Sequence, residues 1–107
     1  MLHIYPFILA TVRLIRPLAQ RIQRQDPDLG RQLRRALASV ALNCAEGMYS
    51  RGKNREARYH TALGSAREVL ACLEVGAALG YIEGPSVELC GRFDRILGTL
   101  SKLAHNG

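Results

Sequence analysis

Gln32-Leu-Arg-Arg-Ala-Leu-Ala-Ser-Val-Ala-Leu-Asn-Cys-Ala-Glu-Gly47 is the stretch whose reading decides the fold. Set on a helix at about 100° per residue, Leu29, Leu33, Ala36, Val40, Cys44 and Gly47 form one apolar stripe. Beside it runs a polar stripe of Gln32, Arg35, Ser39, Asn43 and Glu46. A surface helix would carry charge on its remaining side. Beyond Arg31 and Arg34, this one carries Ala38, Ala41, Leu42 and Ala45. A helix that is small or apolar nearly all round is covered nearly all round. That requires other helices on most sides, and the spacing predicts a second subunit over Ala38, Ala41 and Ala45.

Working outward, a first helix is expected over about residues 3–24, with Ile4, Ile8, Thr11, Ile15, Leu18 and Ile22 forming a bundle seam. Arg13, Arg16, Gln20 and Arg24 fall on its far side. Leu2, Tyr5, Leu9 and Val12 make a second apolar strip that a single core cannot also cover, so it is a candidate subunit contact. Pro17 falls mid-helix and predicts a kink. Asp26-Pro27-Asp28 is a helix start, with Asp26 as N-cap and Pro27 at the first helical position. The second helix then spans about 27–49.

Ser50 to Asn54 reads as a turn, with Asn54 capping a third helix over about 55–79. Its apolar face is Tyr59, Ala62, Leu63, Ala66, Val69, Leu70, Leu73 and Ala77. Gly64, Ala71 and Ala78 recur every seven residues and would let a neighbouring helix approach closely. Gly80 closes the helix in the left-handed conformation, with Tyr81 or Ile82 folding back on its last turn. Gly84-Pro85 opens a fourth helix, about 85–104, with Leu89, Phe93, Ile96, Leu97, Leu100, Leu103 and Ala104 inward. Asp94, Arg95 and Lys102 face outward. Strand patterns are absent and the turns are short. The expected fold is therefore all-α: one antiparallel up-down-up-down four-helix bundle over residues 1–107.

At 107 residues the chain can bury a core without metal or disulfide staples. Cys44, Cys72 and Cys90 are unpaired by spacing and read as small buried hydrophobes of a reducing cytoplasm. The apolar start is interrupted by Arg13 and Arg16, short of the ~20 residues that a membrane span needs. There is no Gly-rich phosphate loop, nucleophile elbow or zinc spacing. A di-metal carboxylate bundle needs Glu-x-x-His, whereas Glu56 and His60 are one residue too far apart. His3, His60 and His105 are scattered. The expectation is a non-enzyme with no metal and no cofactor.

Charge is the remaining signal. The net charge is +6, but residues 1–58 hold 11 Lys or Arg against 4 Asp or Glu, and residues 59–107 hold 4 against 5. Such asymmetry suits a polyanion. Arg51, Lys53, Arg55 and Arg58 cluster at a helix start, a plausible phosphate site, and Arg13, Arg16 and Arg24 extend it along the first helix. No aromatic residues interleave them, so any nucleic acid would be held by its backbone with steep salt dependence. The polar strips of the second and third helices should face one another. Ser39, Asn43, Glu46, Ser65 and Glu68 are expected to form an interior network, completed by Arg35 and Arg67. It either fixes helix register or serves as a functional carboxylate pair.

Gln32-Leu-Arg-Arg-Ala-x-x-Ser39-Val-x-x-Asn43-x-Ala45-Glu46-Gly47, followed by Tyr59-x-x-Ala62-x-Gly64-Ser65-x-x-Glu68, resembles the four-helix-bundle proteins encoded in intervening sequences of bacterial large-subunit ribosomal RNA. Accessory variability proteins of diversity-generating retroelements are more distantly similar. Cys44, where that family often has isoleucine, is a small departure. The resemblance implies a homo-oligomer, a closed five-membered ring with a basic surface, and for the retroelement relatives binding of nucleic acid and a reverse transcriptase. The family pattern includes Ser39, Asn43, Glu46, Gly64, Ser65 and Glu68. The alternative to nucleic-acid binding is an oligomeric protein-interaction scaffold.

Overall fold

The computed structural model describes residues 3–106. Four helices follow one another: α1 (Ile4–Gln25), α2 (Pro27–Met48), α3 (Gly52–Ala78) and α4 (Val87–Asn106). Consecutive helices are packed neighbours, and α4 closes back on α1 by a thinner contact. The chain extends 42 Å along its axis and 26 by 18 Å across it. Those dimensions are the length of a 27-residue helix and the section of two-by-two helices set about 8–10 Å apart. The all-α bundle expected from the periodicity is the fold observed.

The seam of α1 buries Ile4, Ile8, Thr11, Ile15, Ala19 and Ile22; Ala19 takes the inward position expected of Leu18, which is half-buried beside it. α1 runs through Pro17 as one continuous helix. Proline removes the hydrogen bond to the carbonyl four residues earlier, that of Arg13. Both residues are exposed, so water can satisfy the freed oxygen.

Asp26 alone joins α1 to α2. Its amide closes α1 on Ile22 O at 2.7 Å, and its Oδ1 caps α2 by accepting from Leu29 N at 3.1 Å. Tyr81 OH donates to its Oδ2 at 3.2 Å, and Gln25 Nε2 donates to Tyr81 O at 2.9 Å. The α3–α4 connection is thereby tied to the α1–α2 joint. At the end of α3, Gly80 takes φ +83°. Tyr81 N donates to Gly76 O at 2.9 Å and Gly80 N to Ala77 O at 3.0 Å, the paired bonds of a Schellman stop. Ile82 folds back into the core as expected.

Two helix starts differ from expectation. α3 begins at Gly52, which has φ +58°, with Arg51 before it and no side-chain cap. Asn54 therefore lies inside the first turn, where its Nδ2 donates to Ser50 Oγ at 3.3 Å. α4 begins at Val87 rather than at Pro85, because Ser86 Oγ accepts from Leu89 N at 3.1 Å.

Among the described residues, the core is apolar apart from Thr11 and the hydroxyl of Tyr59. Cys44 and Cys72 are buried in it, but Cys90 is exposed on the first turn of α4, against the expectation of three buried thiols. Burial pushes the Cys44 thiol up to about 11 from its usual 9.0, and burial followed by the nearby Glu68 charge also raises Cys72. The thiolate is the reactive form. One thiol should therefore react with a disulfide reagent in the native protein at pH 8, and all three after denaturation. Two or more fast-reacting native thiols would contradict this core.

Gly64, Ala71 and Ala78 are exposed, and nothing lies within 4 Å of where a β-carbon on Gly64 would stand. The helix expected along that stripe is not supplied by this chain. Ala38 is likewise exposed, Ala41 and Ala45 are half-buried, and Leu42 is 62% exposed. Within the single chain, that side of α2 is open.

Candidate nucleic-acid interface and neighbouring clefts

The polar strips of α2 and α3 do meet, but they divide by depth. Ser39 Oγ and Ser65 Oγ are hydrogen-bonded at 2.7 Å. Asn43 Nδ2 donates to Ser39 O at 3.0 Å and to Ser39 Oγ at 3.1 Å. These three residues form a half-buried polar node between the two helices. The carboxylates expected at the same depth are exposed. Glu46 pairs with Arg58 at 2.8 Å, and Glu68 accepts from Gln32 Nε2 at 3.4 Å. Among the described residues, Gln32 and Arg58 rather than Arg35 and Arg67 are the partners of the two carboxylates.

The reason is the narrow seam. Ala36, Ala62 and Ala66 are buried, and the Tyr59 ring sits where a β-carbon on Gly47 would fall, 2.8 Å from its Cε1. Small residues draw the helix axes together, and the longer flanking side chains reach past the seam into water. An exposed pair such as Glu46–Arg58 contributes only about 0–1 kcal/mol. Beside this strip, Asp28, Arg31, Gln32, Arg35, Ser39, Ser65 and Glu68 line an open cleft of about 570 Å³.

Of the basic cluster at the α2–α3 turn, Arg51 and Lys53 are exposed and Arg58 is held by Glu46. Arg55 is half-buried, with its guanidinium 5.6 Å from the Tyr59 ring centroid. On α1, Arg13, Arg16 and Arg24 all face solvent. Arg13 and Arg16 stand with Arg34 around a groove of about 460 Å³ between α1 and α2. The rest of that groove includes Leu9, Val12, Leu37, Ala38 and Ala41. The outer strip of α1 and the small-residue side of α2, two separate signals in the sequence, thus share one surface. Tyr5 and Ala45 are half-buried and do not line the groove, and Leu2 lies outside the described residues. Arg24 lines a separate depression with Gln20, Gln23 and Arg34.

A family model, 23S rRNA-intervening sequence protein, matches residues 8–102, nearly the whole bundle. The chain belongs to that family. No curated protein and no solved structure matches it. The family takes its name from intervening sequences of 23S ribosomal RNA, and the four-helix bundle implied by the resemblance is the fold observed. Among the described residues, no helix is long and apolar enough to cross a membrane.

One cluster of this family member was missed in the sequence. Thr11 Oγ1 donates to Phe7 O at 2.8 Å and itself accepts from Arg92 Nε at 2.8 Å. Arg92 also donates from Nη2 to Phe7 O at 3.2 Å. The guanidinium carbons of Arg92 and Arg95 lie 4.0 and 4.2 Å from the centroid of the Phe7 ring, within cation–π range. A threonine in the apolar seam of α1 was the available clue, because a buried hydroxyl requires a partner.

Proposed function

We propose that this intervening-sequence protein is a non-enzymatic, cytoplasmic homo-oligomer that holds RNA or DNA by its phosphate backbone. The carrying observation is the segregation of charge: α1 has Arg13, Arg16, Arg21 and Arg24, all exposed, and not one acidic residue. Arg51 and Lys53 add two exposed cations at the α2–α3 turn. Family membership gives the polyanion a natural identity in structured RNA. The groove between α1 and α2 supports self-association, since its floor is apolar and its edge is cationic and exposed. A ring of five is the size the resemblance implies, and a reverse transcriptase or another protein would be a further partner on that ring.

The test is a mobility-shift assay with structured RNA and with DNA at about 50 and 200 mM salt, beside light scattering. Binding should fall about a hundredfold across that range if about four phosphates are contacted. Leu9→Asp and Ala41→Glu should lower the scattering mass while helicity survives. No binding to either nucleic acid at low salt would leave an oligomeric protein scaffold as the surviving reading. Unchanged mass in both variants would remove the groove as the contact.

A further inference from the structure

We propose that Arg92 and Arg95 of α4, braced against Phe7 of α1, form a preassembled site for a phosphate group of a nucleic-acid strand. Both guanidiniums lie close to one aromatic ring, so their charges are no farther apart than the sum of their 4.0 and 4.2 Å distances to its centroid. Among the described residues, neither has a carboxylate within ion-pair distance, whereas Arg31 and Arg58 are paired with Asp28 and Glu46. Two like charges near one ring, with only neutral acceptors and the ring face to offset them, favour a bound anion.

The geometry also removes much of the cost of ordering. Arg92 is half-buried and fixed by its bonds to Thr11 Oγ1 and Phe7 O, which leaves its Nη1 uncommitted. Arg95 is exposed, and among the described residues no hydrogen bond occupies its fork; its guanidinium carbon lies 4.2 Å from the centroid of the Phe7 ring. A planar fork of N–H donors matches the oxygens of a phosphate, and its prior ordering reduces the entropy lost on binding. Bracing the α1–α4 seam accounts for Arg92 alone. It does not account for an exposed Arg95 held against the same ring.

The choice of a strand phosphate over a free one rests on the nucleic-acid reading above; the anion site rests on the cluster itself. The probes are structured RNA at about 100 mM salt and inorganic pyrophosphate at constant ionic strength, the latter followed by its effect on Tm. Arg95→Ala should weaken RNA binding about tenfold and reduce the salt slope by about one, with Tm within about 3 °C of wild type. Arg95→Lys should recover part of the loss, because it restores the charge without the fork. Arg67→Ala removes an exposed arginine of α3 and should change binding less than about twofold. Equal weakening by Arg67→Ala and Arg95→Ala would overturn the site in favour of diffuse charge. So would RNA binding that is indifferent to Arg95. A wild-type protein that ignores RNA, yet gains Tm from pyrophosphate only when Arg95 is present, would overturn the strand as ligand and point to free phosphate instead.

Discussion

Gly30→Ala is expected to lower stability by about 2 kcal/mol, although alanine is the better helix former by about 1 kcal/mol. Gly30 is buried one turn into α2, and a β-carbon there would fall 2.6 Å from Gln23 Cα and 2.5 Å from Gln23 Oε1. The amide oxygen could swing away, but the α-carbon could not. α1 and α2 would have to separate close to the single residue that joins them. Overpacking of this kind costs roughly 1–3 kcal/mol and more where the obstacle is backbone. The opposite sign is expected for Gly64→Ala in the interior of α3, where nothing lies within 4 Å of the new carbon. The propensity gain of about 0.5–1 kcal/mol should then emerge undiminished. Thermal unfolding at matched protein concentration checks both, with Gly30→Ala lower in Tm by about 10 °C and Gly64→Ala higher by a few degrees. A Gly30→Ala variant as stable as wild type would mean that α1 and α2 are less closely packed than described. A loss at Gly64 would mean that another surface covers it in the assembled protein.

Tyr59→Ala should have the largest effect of any single truncation, about 3–5 kcal/mol. Tyr59 heads the fully buried side chains by volume, and its ring fills the space left by the absent side chain of Gly47. Its removal opens a cavity that α2 and α3 cannot both close. Tyr59→Phe should stay within about 1 kcal/mol of wild type, because the hydroxyl is buried with no hydrogen-bond partner and its loss leaves no bond broken. Burial raises the phenol above its ordinary pKa, with the Arg55 charge pulling the other way, so the group remains neutral at physiological pH. Urea unfolding of the two variants separates the ring from its oxygen. Comparable losses in both would show that the hydroxyl is satisfied after all.

What was legible in the sequence is what depends on a single helix. The Ile4–Ile22 seam, the Asp26 cap with Pro27 after it, and the left-handed Gly80 follow from periodicity and local chemistry, and all three are observed. What depends on two helices at once was not legible. A helical wheel gives the direction of Glu46 and Glu68 but not their depth, which follows from the narrow Ala36–Ala62–Ala66 seam. It also placed Arg95 facing outward, correctly, without showing that Phe7 of another helix stands beneath it. α3 starts earlier than the sequence pattern predicts, for a local reason. Gly52 with φ +58° turns the chain early, and asparagine looks the same to a reader whether it caps a helix or sits within its first turn.

The one-residue joint at Asp26 leaves almost no slack between α1 and α2, and Tyr81 fastens the opposite connection to it. A body wedged into the groove those two helices share could not spread them at that pivot. Any opening would fall at the far end of the groove, by leverage, and α1, which packs on α2 less extensively than α3 does, is the member free to swing.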